Sequence, residues 1–152
     1  MKPLLFDTNL IVALVRSENF KNNFEKTYPF HKNETLISTV TQGELQSVVI
    51  QWKWGHIKSK RLAAILERFI IYPIKVQNII EAYAKIDAYS QGKLSGQPLP
   101  NNMSSRNMGK NDLWIAATAH VTNATLISSD KDFAHLDGVF LDLDWVDIEG
   151  LK

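Results

Sequence analysis

The sequence predicts an α/β fold: a central, mostly parallel sheet covered by helices. Three observations predict it. Short apolar, β-branched runs alternate along the chain with longer segments of helical periodicity. The length of 152 residues suits a single domain, residues 1–152, able to bury roughly 68–70% of its unfolded surface. The composition, 45% hydrophobic and 22% charged, is that of an ordinary globular chain, with no repeat or low-complexity tract.

Residues 3–6 (PLLF) read as a short buried strand, and Leu10 to Val15 as the start of a helix. Residues 35–39 (TLIST) form a second strand, rich in β-branched residues, followed by a helix from Gly43 to about Trp54. Residues 59–70 carry apolar side chains at helical spacing. Ile70 to Ile74 reads as a short strand that Pro73 weakens. Residues 77–89 are helical. Residues 90–110 are dense in Gly, Ser, Pro and Asn and read as a long loop. Asn111 to Val121 is a helix with Asn111 as its N-cap. Thr125 to Ser128 and Val139 to Leu143 are the last strands.

Several function classes are excluded early. Cysteine is absent, so there is no disulfide framework, thiolate metal site or cysteine nucleophile. That composition fits a reducing compartment, and the expected location is the cytoplasm. The early apolar run from Leu10 to Val15 falls far short of the ~20 residues of a membrane span. Asp7 and Asn9 interrupt the leader-like opening, so no signal peptide is expected. No glycine-rich turn follows the first strand, which argues against a dinucleotide or P-loop site. Net charge is +1, not the footprint of an electrostatic nucleic-acid binder. From Asp130 onward, however, seven acidic residues face two basic ones.

Four carboxylates share one structural context. Asp7 directly follows the first strand, and Glu44 lies in the first turn of the helix after the second. Asp112 opens a later helix, and Asp130 follows the strand ATLIS. Ligand sites of open parallel sheets form at the carboxyl ends of strands. Each residue also has an ordinary structural role. Asp7 suits an N-cap, Thr41 to Glu44 matches a capping box, Asp112 suits a helix dipole and Asp130 a turn. All four nevertheless converge on one edge, with no basic network nearby in sequence to pair with them. Such a cluster calls for hard divalent cations, Mg²⁺ or Mn²⁺.

These residues resemble a known family. Asp7-Thr8-Asn9 after a hydrophobic strand resembles the opening motif of PIN-domain nucleases. Ser38 to Leu45 (STVTQGEL) resembles their second motif, Gly109 to Ala117 (GKNDLWIAA) their third, and Ala124 to Phe133 (ATLISSDKDF) their fourth. The four run in family order over nearly the whole chain. Size and spacing look like VapC-type toxins of toxin–antitoxin pairs. Two features depart from the pattern: residues 91–110 are longer than the usual loop, and Ser128 stands where many relatives have threonine.

The resemblance implies a PIN-like α/β/α sandwich and Mg²⁺- or Mn²⁺-dependent hydrolysis of RNA phosphodiester bonds. It implies Asp7, Glu44, Asp112 and Asp130 as catalytic metal ligands, with Glu44 also suited to positioning the water. Asn9, Asn111 and Ser128 would orient those carboxylates. Arg106 and Lys110, beside Asp112, would approach the phosphate, and Asp132 would be structural or support the site. The implied partners are RNA, a cognate antitoxin and a second copy in a homodimer. Apolar stripes at Val48, Val49 and Trp52 and at Leu62, Ile65 and Phe69 would either line an antitoxin groove or fill the core. Trp52-Lys53-Trp54 with His56, Lys58, Lys60 and Arg61 mixes aromatics with positive charge, a composition that can stack bases and hold phosphates but also suits a core or partner face. The four histidines are scattered, with no carboxylate at catalytic spacing.

Other readings remain open at this level. A PIN fold kept as a non-catalytic RNA-binding or protein-interaction module is the main alternative. A haloacid dehalogenase-type phosphatase needs a second aspartate two residues after the first, and position 9 is Asn. A phosphoreceiver pattern is missing.

Overall fold

The computed structural model describes residues 2–152. Five short strands, β1 (Leu4–Phe6), β2 (Thr35–Ser38), β3 (Ile70–Tyr72), β4 (Thr125–Ser128) and β5 (Asp142–Trp145), form one sheet. Their order is β3-β2-β1-β4-β5, and every pairing is parallel. Leu4 lies opposite Thr35 on one side and Thr125 on the other, so β1 is central. Its three residues are all buried, which explains an unbroken apolar run rather than alternation.

Successive side chains of β1 point to opposite faces, and each face has its own core. Leu4 and Phe6 pack with helices α1 (Thr8–Arg16), α2 (Glu18–Thr27) and α4 (His56–Leu66). Phe6 meets Phe69, Phe24 and Phe30 edge-on, with centroids 4.8, 5.4 and 6.0 Å apart. Leu5 and Leu36 pack on the other face with α5 (Gln77–Ser90) and α6 (Lys110–Thr122). Helix α3 (Thr39–Gln51) follows β2, and a short α7 (Ile148–Leu151) ends the described chain. The architecture is therefore an α/β/α sandwich. Among the described residues no helix is long and apolar enough to cross a membrane.

Several boundaries differ from the sequence expectation for physical reasons. Helix α2 was not anticipated. Most of its residues are polar, and only Phe20 and Phe24, one turn apart, are buried. Ser17 starts it as the N-cap, accepting from Phe20 N–H. Helix α3 begins at Thr39 rather than Gly43, because the Ser38 hydroxyl accepts from Val40 N–H and serves as the cap. The expected capping box at Thr41 to Glu44 therefore does not form, and Glu44 sits in the second turn. Helix α6 begins one residue before Asn111, with Gly109 at the cap position and no side-chain cap bond. Strand β5 starts at Asp142, not Val139, because residues 138–140 form a turn with Gly138 at φ +76°.

Candidate metal centre at the carboxyl edge of the sheet

The chain leaves the carboxyl ends of β1, β2 and β4 side by side, and the acidic residues follow directly. Asp7 is both the first residue past β1 and the N-cap of α1. It is buried, with 5% of its surface exposed. Two donors hold its carboxylate: Thr8 N–H gives to Oδ1 at 2.7 Å and the Ser128 hydroxyl to Oδ2 at 2.7 Å. Asp130 N–H in turn donates to Ser128 Oγ at 2.9 Å, and Asp132 N–H to Asp130 Oδ1 at 2.9 Å. The end of β4 is thereby tied to the end of β1. Glu44 reaches in from the second turn of α3 and accepts from the Thr8 hydroxyl at 2.7 Å. Thr8 Oγ1 also lies 3.2 Å from the buried Thr41 hydroxyl.

Asp7, Asn9, Glu44, Asn111, Asp112 and Asp130 line one cleft of about 660 Å³. Carboxylate oxygens of Asp112, Asp130 and Asp132 all lie within 4.8 Å of one another. Asp7 and Glu44 share the cleft but stand outside that closest trio. Ion pairs in the structure join other residues: Lys2 with Asp142, Lys21 with Glu25, Arg61 with Glu18 and Lys152 with Glu149. Among the described residues no basic side chain pairs with a cleft carboxylate. Uncompensated charge shows in the acidities. Burial, then repulsion from Asp7, Asp130, Glu44 and Asp132, pushes the Asp112 carboxyl up to about 6. Burial raises Asp7 too, against the lowering effect of Ser128 and Thr8.

The expected residues divide unevenly. Asp7, Glu44, Asp112 and Asp130 come together, Ser128 touches Asp7, and exposed Asn9 and Asn111 line the cleft. Lys110 is exposed at the start of α6 and lies outside the lining. Arg106 borders a separate hollow of about 330 Å³ with Asn107, Gly109 and Asp132. No histidine lines the cleft. Leu62, Ile65 and Phe69 belong to the core, whereas Val48 and Trp52 line the cleft. Two residues were missed: Thr8, whose hydroxyl donates to Glu44, and Thr41, whose hydroxyl meets that of Thr8. The signal for Thr8 was its place between Asp7 and Asn9.

An oxygen-only donor set, without paired cations and with two carboxyls raised by burial and by their acidic neighbours, fits a hard divalent cation. Fold and cleft together define an α/β/α protein with a carboxylate centre at the carboxyl edge of a parallel sheet. The family is more particular: the PIN domain model matches residues 4–139, and the chain belongs to that family. No curated protein sequence matches the chain significantly. Solved structures do. VapBC2 from Rickettsia felis, bound to a DNA fragment from its promoter, is similar with TM-score 0.74 and 24% identity, over 95% of this chain and 98% of the other. FitAcB from Neisseria gonorrhoeae has TM-score 0.69 and 23% identity, over 97% and 99%. VapBC-1 from nontypeable Haemophilus influenzae has TM-score 0.61 and 25% identity, over 96% and 98%.

Proposed function

We propose that this chain is a metal-dependent endoribonuclease and the toxin of a toxin–antitoxin pair, acting in the cytoplasm as a homodimer. The cleft carries the reading: Asp7, Glu44, Asp112 and Asp130 line one hollow with no paired cation. Asp7, Glu44, Asp112 and Asp130 would hold Mg²⁺ or Mn²⁺, with Asp132 close to the last two. A divalent ion bound there supplies Lewis acidity and lowers the pKa of water near the scissile phosphate.

The chain's own residues prepare the site. Ser128 and Thr8 N–H fix both oxygens of Asp7, so its lone pairs point into the cleft in one orientation. Thr8 holds Glu44 by its Oε1, leaving the second oxygen to orient a water. Asn9 and Asn111 add amide donors at the rim. Arg106 and Lys110 lie outside the cleft lining and would meet only phosphates that flank the site. The toxin assignment draws on the toxin–antitoxin complexes among the similar structures.

The test is cleavage of total RNA by purified protein with Mg²⁺ or Mn²⁺, with chelator, and with Asp112→Asn. Metal-dependent cutting that disappears in the variant supports the reading. Silence of the wild type after removal of any co-purifying partner overturns it and favours a binding module. Equal cutting by both proteins points to a contaminant.

A further inference from the structure

The turn after α3 sorts two neighbouring tryptophans. Trp52 closes the helix, its N–H donating to Val48 O at 2.9 Å, and Trp54 N–H donates back to Val49 O at 3.1 Å. Between them Lys53 takes φ 51°, the left-handed conformation usually given to glycine. Its effect is divergence. Trp54 packs against the core, while Trp52 lines the carboxylate cleft and remains 51% exposed. An indole half open to water at the wall of a polar site is poorly used by folding alone.

On the side of Trp52 away from the carboxylates, the charged side chains are basic. The Arg16 guanidinium lies 5.4 Å from the Trp52 ring centroid, and Lys58 Nζ lies 5.8 Å from that of Trp54. Lys53, Lys58 and His56 line the hollow that continues from Trp52 away from the cleft, and no acidic residue lines it. A carboxylate floor repels a polyanion, so a strand entering the cleft needs attraction at its rim. An aromatic face with adjacent cations supplies stacking and phosphate contacts together.

We propose that Trp52 is a positioning residue that stacks on a base of single-stranded RNA beside the cleft, with Arg16 and Lys53 on the adjoining phosphates. This inference rests on the nuclease reading for its substrate. Charge favours RNA over an apolar protein segment as occupant, because Arg16 stands beside the Trp52 ring, Lys53 and Lys58 line the adjoining hollow, and Trp52 itself lines the cleft where the phosphodiester would sit.

The experiment measures binding of a short single-stranded RNA, about ten nucleotides, and of the same oligomer with one abasic ribose moved along it. Full-length wild type, Trp52→Ala and Trp52→Phe are compared in chelator, where no cutting occurs, and cleavage is then followed with Mn²⁺. We expect Trp52→Ala to weaken binding roughly tenfold and Trp52→Phe to retain most of it. One abasic position should cost the wild type a similar factor and cost Trp52→Ala nothing further. Equal losses in both proteins at every abasic position overturn the proposal. So does unchanged RNA binding by Trp52→Ala accompanied by lost self-association in sedimentation, which marks a protein interface. Wild type that cuts, with a Trp52→Ala variant that binds and cuts equally, removes the stacking role and leaves the nuclease intact. Wild type that binds with the abasic signature yet never cuts removes the nuclease and keeps the stacking.

Discussion

The Ser128 hydroxyl donates to Asp7 Oδ2 at 2.7 Å across a sequence separation of 121 residues. Both groups are buried, and they join the ends of adjacent parallel strands. Ser128 also accepts from Asp130 N–H, so one hydroxyl orients two acidic positions. Ser128→Ala is expected to leave Asp7 Oδ2 buried without that donor. The fold should lose about 1–3 kcal/mol, and divalent-metal affinity should fall roughly 10- to 100-fold. Ser128→Thr keeps the hydroxyl and should recover most of both. Metal titration by calorimetry, with urea unfolding alongside, checks the pair.

Asp112 works against stability in the metal-free protein. Its folded value, about 6, lies above the ordinary 3.8, chiefly from burial and then from its acidic neighbours. At pH 7.5 the fold therefore carries a strained charge, and Asp112→Asn should relieve it. The full shift corresponds to about 3 kcal/mol. Solvent screening of this partly open carboxylate reduces the expected gain to about 1 kcal/mol, or roughly 2–4 °C in Tm. A stabilised but inactive variant is the expected outcome, and a lowered Tm would contradict the repulsion.

Divalent metal should produce the same relief in the wild type. Mn²⁺ or Mg²⁺ at about 100 times its Kd should stabilise the fold by roughly 2.7 kcal/mol. Chelator should reverse the rise in Tm. Asp7→Asn should abolish it, since that residue faces the cleft with both oxygens already oriented. A metal-induced shift that survives in Asp7→Asn and Asp112→Asn would place the ion elsewhere.

His135 gives the opposite pH dependence. It is buried, its Nε2 lies 2.7 Å from the Ser90 hydroxyl, and its Nδ1 has no partner. Burial, reinforced by Arg106, lowers it to about 4 from 6.5. The unfolded chain thus takes up this proton first. Stability from neutral His135 is complete above about pH 6.5 and is lost as pH falls toward 4, an effect of about 2 kcal/mol. Asp112 has the reverse sign, because the folded chain protonates first and gains stability as pH falls from about 6 to 3.8. The wild-type profile should therefore be shallow. Asp112→Asn should steepen acid destabilisation, and adding His135→Gln should flatten it again. Thermal midpoints from pH 7.5 to 4.5 read all three.

Much of this arrangement is legible in the sequence. The three inner strands carry their own signal as buried apolar runs; Asp7, Glu44 and Asp130 follow them, and Asp112 stands in the first turn of α6. What was not legible depends on contacts rather than spacing. Helix α2 buries only two phenylalanines among polar residues, too weak a periodicity to declare itself. Ser38 and Thr41 both suit an N-cap, and only the fold decides that Ser38 takes it while Thr41 turns inward toward Thr8. Asp132 reads as structural or as a support of the site, and the 3₁₀ turn at Lys131–Leu136 brings it beside Asp112 and Asp130. Arg106 looked adjacent to Asp112 by number, yet the loop carries it to a separate hollow where its N–H donates to Ser90 O.

The strand order has a consequence for biosynthesis. Asp7 emerges early, on a strand whose two neighbours are β2 and β4. Its orienting hydroxyl and the Asp130 corner belong to β4 and the turn after it, made after β1, β2 and β3. Non-local parallel pairing forms late, so the centre cannot close on a nascent chain until residues through Asp130 have cleared the ribosome. On the function proposed above, the hydrolytic centre is therefore still unassembled while β1, β2 and β3 are being made.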